Sequence, residues 1–440
     1  MSAGLLTRLR ERTRHTDLMR HTGVVRQLSG LAIEAHGPDV PLGEMCLISA
    51  RGGAAPVRAE VVGIRPGTTT LMAYGSFQGL AAGCEVVATG EMASIGTGRE
   101  LLGRVIDCFG HPLDGEPEPM TRQRYRLQAA ARNPMRRPRI NTVLETGVRS
   151  IDTLLTLGRG QRVGIFAGSG VGKSTLLGMV AKHVRADVNV IALIGERGRE
   201  VREFIEKQLG PQGLARSVVV VATADQPALA RLRAAHAAVA IAESFRDEGQ
   251  HVLLTMDSVT RVAMARREVG LSVGEPPTAR GYTPSVFAEL PELCERCGTA
   301  ESGGSITALL TVLVEGDDLN EPIADCMRAT LDGHIVLSRQ LANQGRYPAI
   351  DALASTSRLM SDLVPAEVRA LARSATSSLE LLQRNRQLVD IGAYVRGANP
   401  ELDRALKIEP ELLAFLNQSE GGVDRAAALS ALTGLLKEAP

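Results

Sequence analysis

The run Val163-Gly-Ile-Phe-Ala-Gly-Ser-Gly-Val-Gly-Lys-Ser-Thr175 constrains this chain more than any other stretch. A short apolar segment enters a glycine-rich turn, Gly-Lys-Ser follows, and a helical pattern over 176–182 leaves it. Strand, glycine loop and helix in that order predict a phosphate-binding loop. Gly168, Gly170 and Gly172 let successive backbone N–H groups converge on an anion, because no Cβ blocks the required dihedrals. Ala167, Ser169 and Val171 fill the remaining loop positions. The helix that begins near Lys173 brings its positive dipole end to the same point. Lys173 can reach β- and γ-phosphates, and the Ser174 hydroxyl can ligate Mg²⁺. One position departs from the strict pattern: it asks for glycine at 167, and this chain has Ala167.

The hydrophobic pattern after the loop alternates strand and helix, which predicts an α/β core with a parallel sheet. Apolar strands are expected at 188–195, 218–222, 251–257, 306–314 and 334–338, and helices at 199–209 and 228–245. From about residue 361 the strand signal stops, and a helical tail with breaks at Gly392, Gly397 and Gly421-Gly422 follows. Upstream, 23–93 reads as short strands punctuated by Gly and Pro, the pattern of a small barrel or sandwich. At 440 residues the chain exceeds what one core usually serves. The expected division is a basic amphipathic segment over 1–22, a β-barrel over 23–95, a phosphate-loop α/β domain over 96–360 and a helical domain over 361–440.

Composition removes several classes. A net charge of +1, 3% aromatic residues and no Trp argue against a nucleic-acid platform. No apolar run approaches the ~20 residues of a membrane span, and the N-terminus lacks a signal-peptide core, so a cytoplasmic location is expected. The six cysteines are scattered, and Cys294-x-x-Cys297 has no second ligand pair near it, so two thiols on a helix are preferred to a zinc site. The arginine-rich stretch 122–139 reads either as a contact for something acidic or as a solvated loop. The leading segment 1–20 can dock on a partner or an anionic surface, or be a frayed terminus.

Candidate chemistry clusters after the loop. Asp257 closes an apolar strand, where a carboxylate can hold Mg²⁺ or cap the next helix. Glu196 follows the strand ending at Gly195; beside a γ-phosphate it can polarise an attacking water. Arg197 can neutralise charge on the transferring group or orient Glu196, or both can be a charged turn. Tyr347 precedes Pro348 and can offer its ring to a purine. Arg358 follows it and can be an ordinary surface arginine.

Longer motifs add a resemblance. The sequences Gly195-Glu-Arg-Gly-Arg-Glu-Val-Arg-Glu-Phe204, Met256-Asp-Ser-Val-Thr-Arg261, Gly274-Glu-Pro-Pro-Thr-Ala-Arg-Gly-Tyr-Thr-Pro-Ser-Val-Phe287 and Gly333-His-Ile-Val-Leu-Ser-Arg339 resemble the type III protein-export ATPases. So does Val314-Glu-Gly-Asp-Asp-Leu-Asn-Glu-Pro-Ile-Ala-Asp325. These are relatives of the catalytic β subunit of the rotary F-type ATPase. The loop with Ala167 and the run 383–397 are more similar to the flagellar branch than to the virulence injectisome. The resemblance implies a RecA-like P-loop core with a small N-terminal β-barrel and a helical C-terminal domain. It implies an ATP hydrolase with Mg²⁺, in which Lys173, Ser174 and Thr175 bind phosphates and metal, Glu196 is the catalytic glutamate with Arg197 beside it, and Asp257 is the Walker B acid. Tyr347 would stack on adenine, and Arg358 would be an arginine finger acting on the adjacent subunit, so a homohexameric ring is expected. Implied partners are a stator-like regulator at the N-terminal helix, a coiled-coil stalk in the ring, chaperone–substrate complexes and a membrane export gate, with peripheral attachment to the inner-membrane export apparatus. An F- or V-type catalytic subunit and a nucleic-acid translocase are the remoter alternatives. The former lacks an acidic lever segment over 379–397, and the latter is disfavoured by charge and aromatic content.

Overall fold

The computed structural model describes residues 19–130 and 132–437. The basic segment expected over 1–22 therefore lies almost wholly outside the described residues. The chain forms two compact units, one of residues up to Ala93 with Glu268–Pro276, the other of Ser94–Arg267 with Pro277 onward.

The first unit is a closed antiparallel barrel of β1 (Thr22–Ser29), β2 (Ala32–His36), β3 (Glu44–Ile48), β4 (Val57–Arg65), β5 (Thr68–Ala73) and β6 (Glu85–Met92), in the order β1-β2-β5-β4-β3-β6. Closure removes the exposed strand edges that a small sheet would otherwise present. Val25, Ile33, Ile48, Val61, Leu71 and Val86 fill its interior. Pro66-Gly67 makes the β4–β5 hairpin, with Gly67 at φ 70, the left-handed backbone that its place in the turn requires.

The second unit is built on β7 (Val105–Ile106), β8 (Arg162–Ala167), β9 (Val188–Ile194), β10 (Ser217–Ala222), β11 (His251–Asp257), β12 (Ser305–Leu313), β13 (Gly333–Leu337) and β14 (Ile350–Ser357). Their order is β14-β13-β8-β12-β11-β9-β10-β7, parallel throughout except for the antiparallel β13–β14 pair. Every residue of β9 is buried, as expected of a central parallel strand covered on both faces. Helices α1 (Lys173–His183), α2 (Ala228–Asp247) and α3 (Val259–Ser272) follow β8, β10 and β11. The alanines of α2 (Ala234, Ala235, Ala237, Ala238, Ala240 and Ala242) are all buried, and α2 packs along β9, β10 and β11.

The tail forms α4 (Ala366–Asp390), α5 (Pro400–Leu416) and α6 (Arg425–Lys437), with turns at the glycine positions read from the sequence. Leu412, Phe415, Ala428 and Leu432 join the same apolar core as the sheet. Two local details differ from the sequence reading. The helix expected over 199–209 is an α-turn over Gly198–Glu203 that widens into a π-helix at Phe204–Leu209, which places Phe204 and Leu209 together in the core. The arginine-rich stretch is partly structural, since Arg132 pairs with Asp247 at 2.5 Å and Arg137 with Glu295 at 3.3 Å. Cys294 and Cys297 are buried free thiols at the end of helix Pro284–Glu295; burial, with the nearby Glu243 charge, pushes Cys297 up to about 12. Among the described residues no helix is long and apolar enough to cross a membrane.

Candidate active site

The parallel strands aim their carboxyl ends at one edge, where ligands of open α/β sheets are bound. β8 ends at Ala167, which is buried between Leu313 and Leu337 of its two neighbours. Ala167 is therefore still strand, its φ is not positive, and the glycine of the strict motif is not required there. The special backbone comes later: Gly170 (φ 76) and Gly172 (φ 88) are left-handed, and Gly172 is the N-cap of α1. Ser169, Ser174 and Thr175 are exposed around the turn. At Gly168 two side-chain ends come close, since a Cβ there would lie 2.6 Å from Arg339 Nη2 and 2.9 Å from Asp317 Oδ1 and both would have to shift.

From the first turn of α1, Lys173 reaches two carboxylates. Its Nζ donates to Asp257 Oδ1 at 2.5 Å and lies 3.7 Å from Glu196 Oε1. The register explains the meeting. β9 and β11 are neighbours with Leu193 opposite Asp257, and the chain turns at Gly195 (φ 72) to present Glu196. Asp257 is 3% exposed and also accepts from Thr311 Oγ1 at 2.8 Å. Leaving such a buried charge unpaired costs roughly 3–5 kcal/mol, so Lys173 and Thr311 together hold the acid in place. Burial, then the Asp257 charge, push Glu196 up to about 7, against the pull of Lys173. Glu196 is thus poised to act as a base near neutral pH.

Tyr347 stands at the opposite wall of the loop. A Cβ on Gly172 would lie 3.2 Å from its Cδ1, and the ring is 40% exposed. The C-terminal helices hold this residue: Tyr347 N donates to Asn417 Oδ1 at 3.1 Å, and Gln418 N donates to Tyr347 O at 2.6 Å. Gln418 is itself buried, accepting from Arg149 N at 2.9 Å and donating to Gly147 O at 2.9 Å. Its amide locks the end of α5 to the segment before α1.

Two predicted residues are not gathered into this cluster. Arg197 is exposed and faces Glu200 at 3.7 Å. Arg358 follows β14, which runs antiparallel to β13 with Ser357 opposite Gly333, whereas Leu337 at the other end of β13 pairs with Ala167. At about 3.3 Å per residue, five-residue β13 separates Arg358 from the loop edge by about 16 Å, more than an arginine side chain spans. Sequence reasoning missed Thr311, Arg339, Asp317 and Arg261, whose side-chain carbons cover Gly195. Hydroxyl residues within the apolar run of β12, Thr307 and Thr311, were the one available signal.

The donors present fit a Mg²⁺–nucleotide: a hydroxyl on the first turn, two carboxylates across from it, and a glycine cradle beneath. Comparison with known proteins supports the nucleotide. The ATP synthase alpha/beta family nucleotide-binding domain matches residues 147–357, that family's beta-barrel domain matches 25–90, and the T3SS EscN ATPase C-terminal domain matches 364–434. The flagellum-specific ATP synthase of Bacillus subtilis is 54% identical over 427 residues, covering 95% of this chain and 97% of that one. The assembled ATPase EscN of the enteropathogenic E. coli type III secretion system superposes with a TM-score of 0.89 at 42% identity, covering 94% of this chain and all of that one. EscN in complex with its central stalk EscO gives 0.87 at 41% identity and the same coverage. The chain belongs to the ATP synthase alpha/beta family, within the branch of the flagellum-specific and type III secretion ATPases.

Proposed function

We propose that this protein is the ATP hydrolase of a flagellar type III protein-export apparatus, working as a homo-oligomeric ring. The observation that carries the reading is the Lys173–Asp257–Glu196 cluster at the mouth of the phosphate loop. In the proposed mechanism Lys173 exchanges its carboxylate partners for the β- and γ-phosphates. Ser174, with Thr175 beside it, and Asp257 hold Mg²⁺, which neutralises phosphate charge when bound. Glu196, raised toward neutrality, takes a proton from water as its oxygen attacks the γ-phosphorus and the bond to ADP breaks. Arg197, the next residue in the chain, turns from Glu200 toward the transferred group and screens it, and Tyr347 offers its face to adenine. Arg358, remote from its own loop, serves the neighbouring subunit's site, so a homohexamer completes what each chain half provides. The working division places the catalytic domain over 96–360, with the barrel before it and the helical domain after it.

Identity of 54% to the Bacillus subtilis flagellar relative, against 49% to the type 3 secretion system ATPase of Xanthomonas euvesicatoria, favours the flagellar branch over the injectisome by a narrow margin. By analogy with the stalk complex of EscN, a coiled-coil protein enters the ring. Chaperone–substrate complexes, a stator-like regulator and an inner-membrane export gate are the remaining partners of the reading, with the protein cytoplasmic and peripheral to the membrane. Glu196→Gln is expected to keep ATP binding while phosphate release falls by about 10²–10⁴. Undiminished release would remove Glu196 from the mechanism.

A further inference from the structure

We infer that the segment from Glu315 to Arg328 is a relay, coupling a subunit's own phosphate loop to the Arg358 that it presents to its neighbour. The inference rests on the reading of Arg358 as a finger in trans. Three sets of contacts carry it.

At the loop edge, Asp317 and Arg339 lie against Gly168, so closely that a methyl group there would displace them, and they face each other at 3.6 Å. Midway, Arg280 clamps the segment to the turn Ala279–Gly281, with Nη2 on Asp318 Oδ2 at 3.1 Å and Nη1 on Glu321 Oε2 at 3.3 Å. At the far edge, Arg328 in the last turn of the helix Pro322–Thr330 offers its carbonyl oxygen to Arg358 Nη2 at 3.0 Å. Asp332 O accepts from Arg358 N at 3.1 Å.

Topology makes the relay continuous. β12 ends at the loop edge and β13 begins at the opposite edge, so the helix between them crosses the sheet from one to the other. Its nine residues span about 13 Å, and Ile323, Ala324 and Met327 are buried against the core, so it moves as one body. The driving force is electrostatic. A phosphate arriving at Gly168 attracts the Arg339 guanidinium and repels the Asp317 carboxylate, which pulls the pair apart. Displacing Asp317 shifts the entry of the helix, and the Arg328 carbonyl shifts with it. Among the described residues, Arg280 (φ 51) and Asp317 (φ 59) are the two non-glycine residues with left-handed backbone, and both belong to this relay.

The test uses mixed rings. Glu196→Gln subunits, expected to bind ATP at their own loop without turning it over, act as finger donors to Arg358→Ala subunits. Adding Asp317→Asn to the donor is expected to change the kcat of the mixture by about three- to thirtyfold, with little change in KM for ATP, because the working site is in the other subunit. Arg280→Gln in the donor is expected to reproduce the change by releasing the segment at its middle. An unaltered kcat with either donor, in rings of confirmed assembly, overturns the relay. If the starting mixture recovers no turnover, the finger reading has failed and the relay falls with it. That outcome is distinct from an active mixture that ignores the donor substitutions.

Discussion

At the carboxyl edge of the central sheet, Lys173 stands between two carboxylates and the acid Asp257 is buried and doubly paired. At the opposite edge Arg358 is exposed, and its guanidinium donates to a main-chain oxygen of Arg328. The first edge is preorganised: its charges are held by one another and by strand register, so no large rearrangement is needed to receive a nucleotide. The second has a cation whose charge is not neutralised by a carboxylate within the contacts described above, and no phosphate of its own within reach. The two edges make sense as halves of one site only when copies of the chain are set side by side, which is why the ring is part of the proposed chemistry rather than packaging.

This contrast is open to attack from both sides. The largest effect is expected at the exposed edge. Arg358→Ala should lower kcat by about 10³ or more while leaving ATP affinity nearly unchanged, since a finger supplied in trans contributes roughly that much. Single-turnover kinetics with equilibrium nucleotide binding separates the two quantities, and a variant with normal kcat would reduce Arg358 to a surface residue. At the buried edge the expected effect is smaller and follows pH. Glu196 acts as a base only when ionised, so kcat/KM should fall about tenfold per pH unit below about 7 and level off above it. The linked stability has a definite sign. A carboxyl raised in the folded state adds stability that is complete below its ordinary range and is lost as pH rises through about 7. Glu196→Gln, neutral at every pH, should remove that contribution from both the rate profile and the Tm profile. A pH-independent kcat/KM in the parent enzyme would show that another group is the base.

Much of this was legible in the sequence because the signals were local. The phosphate loop, the apolar strand that ends in Asp257, the glycine turn before Glu196 and the glycine-broken helical tail each announce themselves within a dozen residues. The short-strand unit was legible through its Gly and Pro spacing as a barrel or sandwich, and only the pairing of β1 with β6 across the whole unit closes it into a barrel. What escaped depends on distant partners. Thr311 becomes a ligand of Asp257 only through the β11–β12 register, and Asp317 meets Arg339 across a helix and a strand. The π-helix at Phe204–Leu209 escaped because an α-period and a π-turn can bury the same apolar residues. Ala167 looked like a defect in the motif and proved to be an ordinary strand residue, since the left-handed positions begin at Gly170.

The central claim is that catalysis needs both edges, from different copies of the chain. Lys173→Ala and Arg358→Ala subunits, each expected to be inactive alone, should be mixed under conditions in which assembly is verified and ATP turnover measured. Recovery of turnover in the mixture is the result this account predicts, because some junctions then join an intact loop to an intact Arg358. Mixed rings that assemble and stay inactive would contradict it.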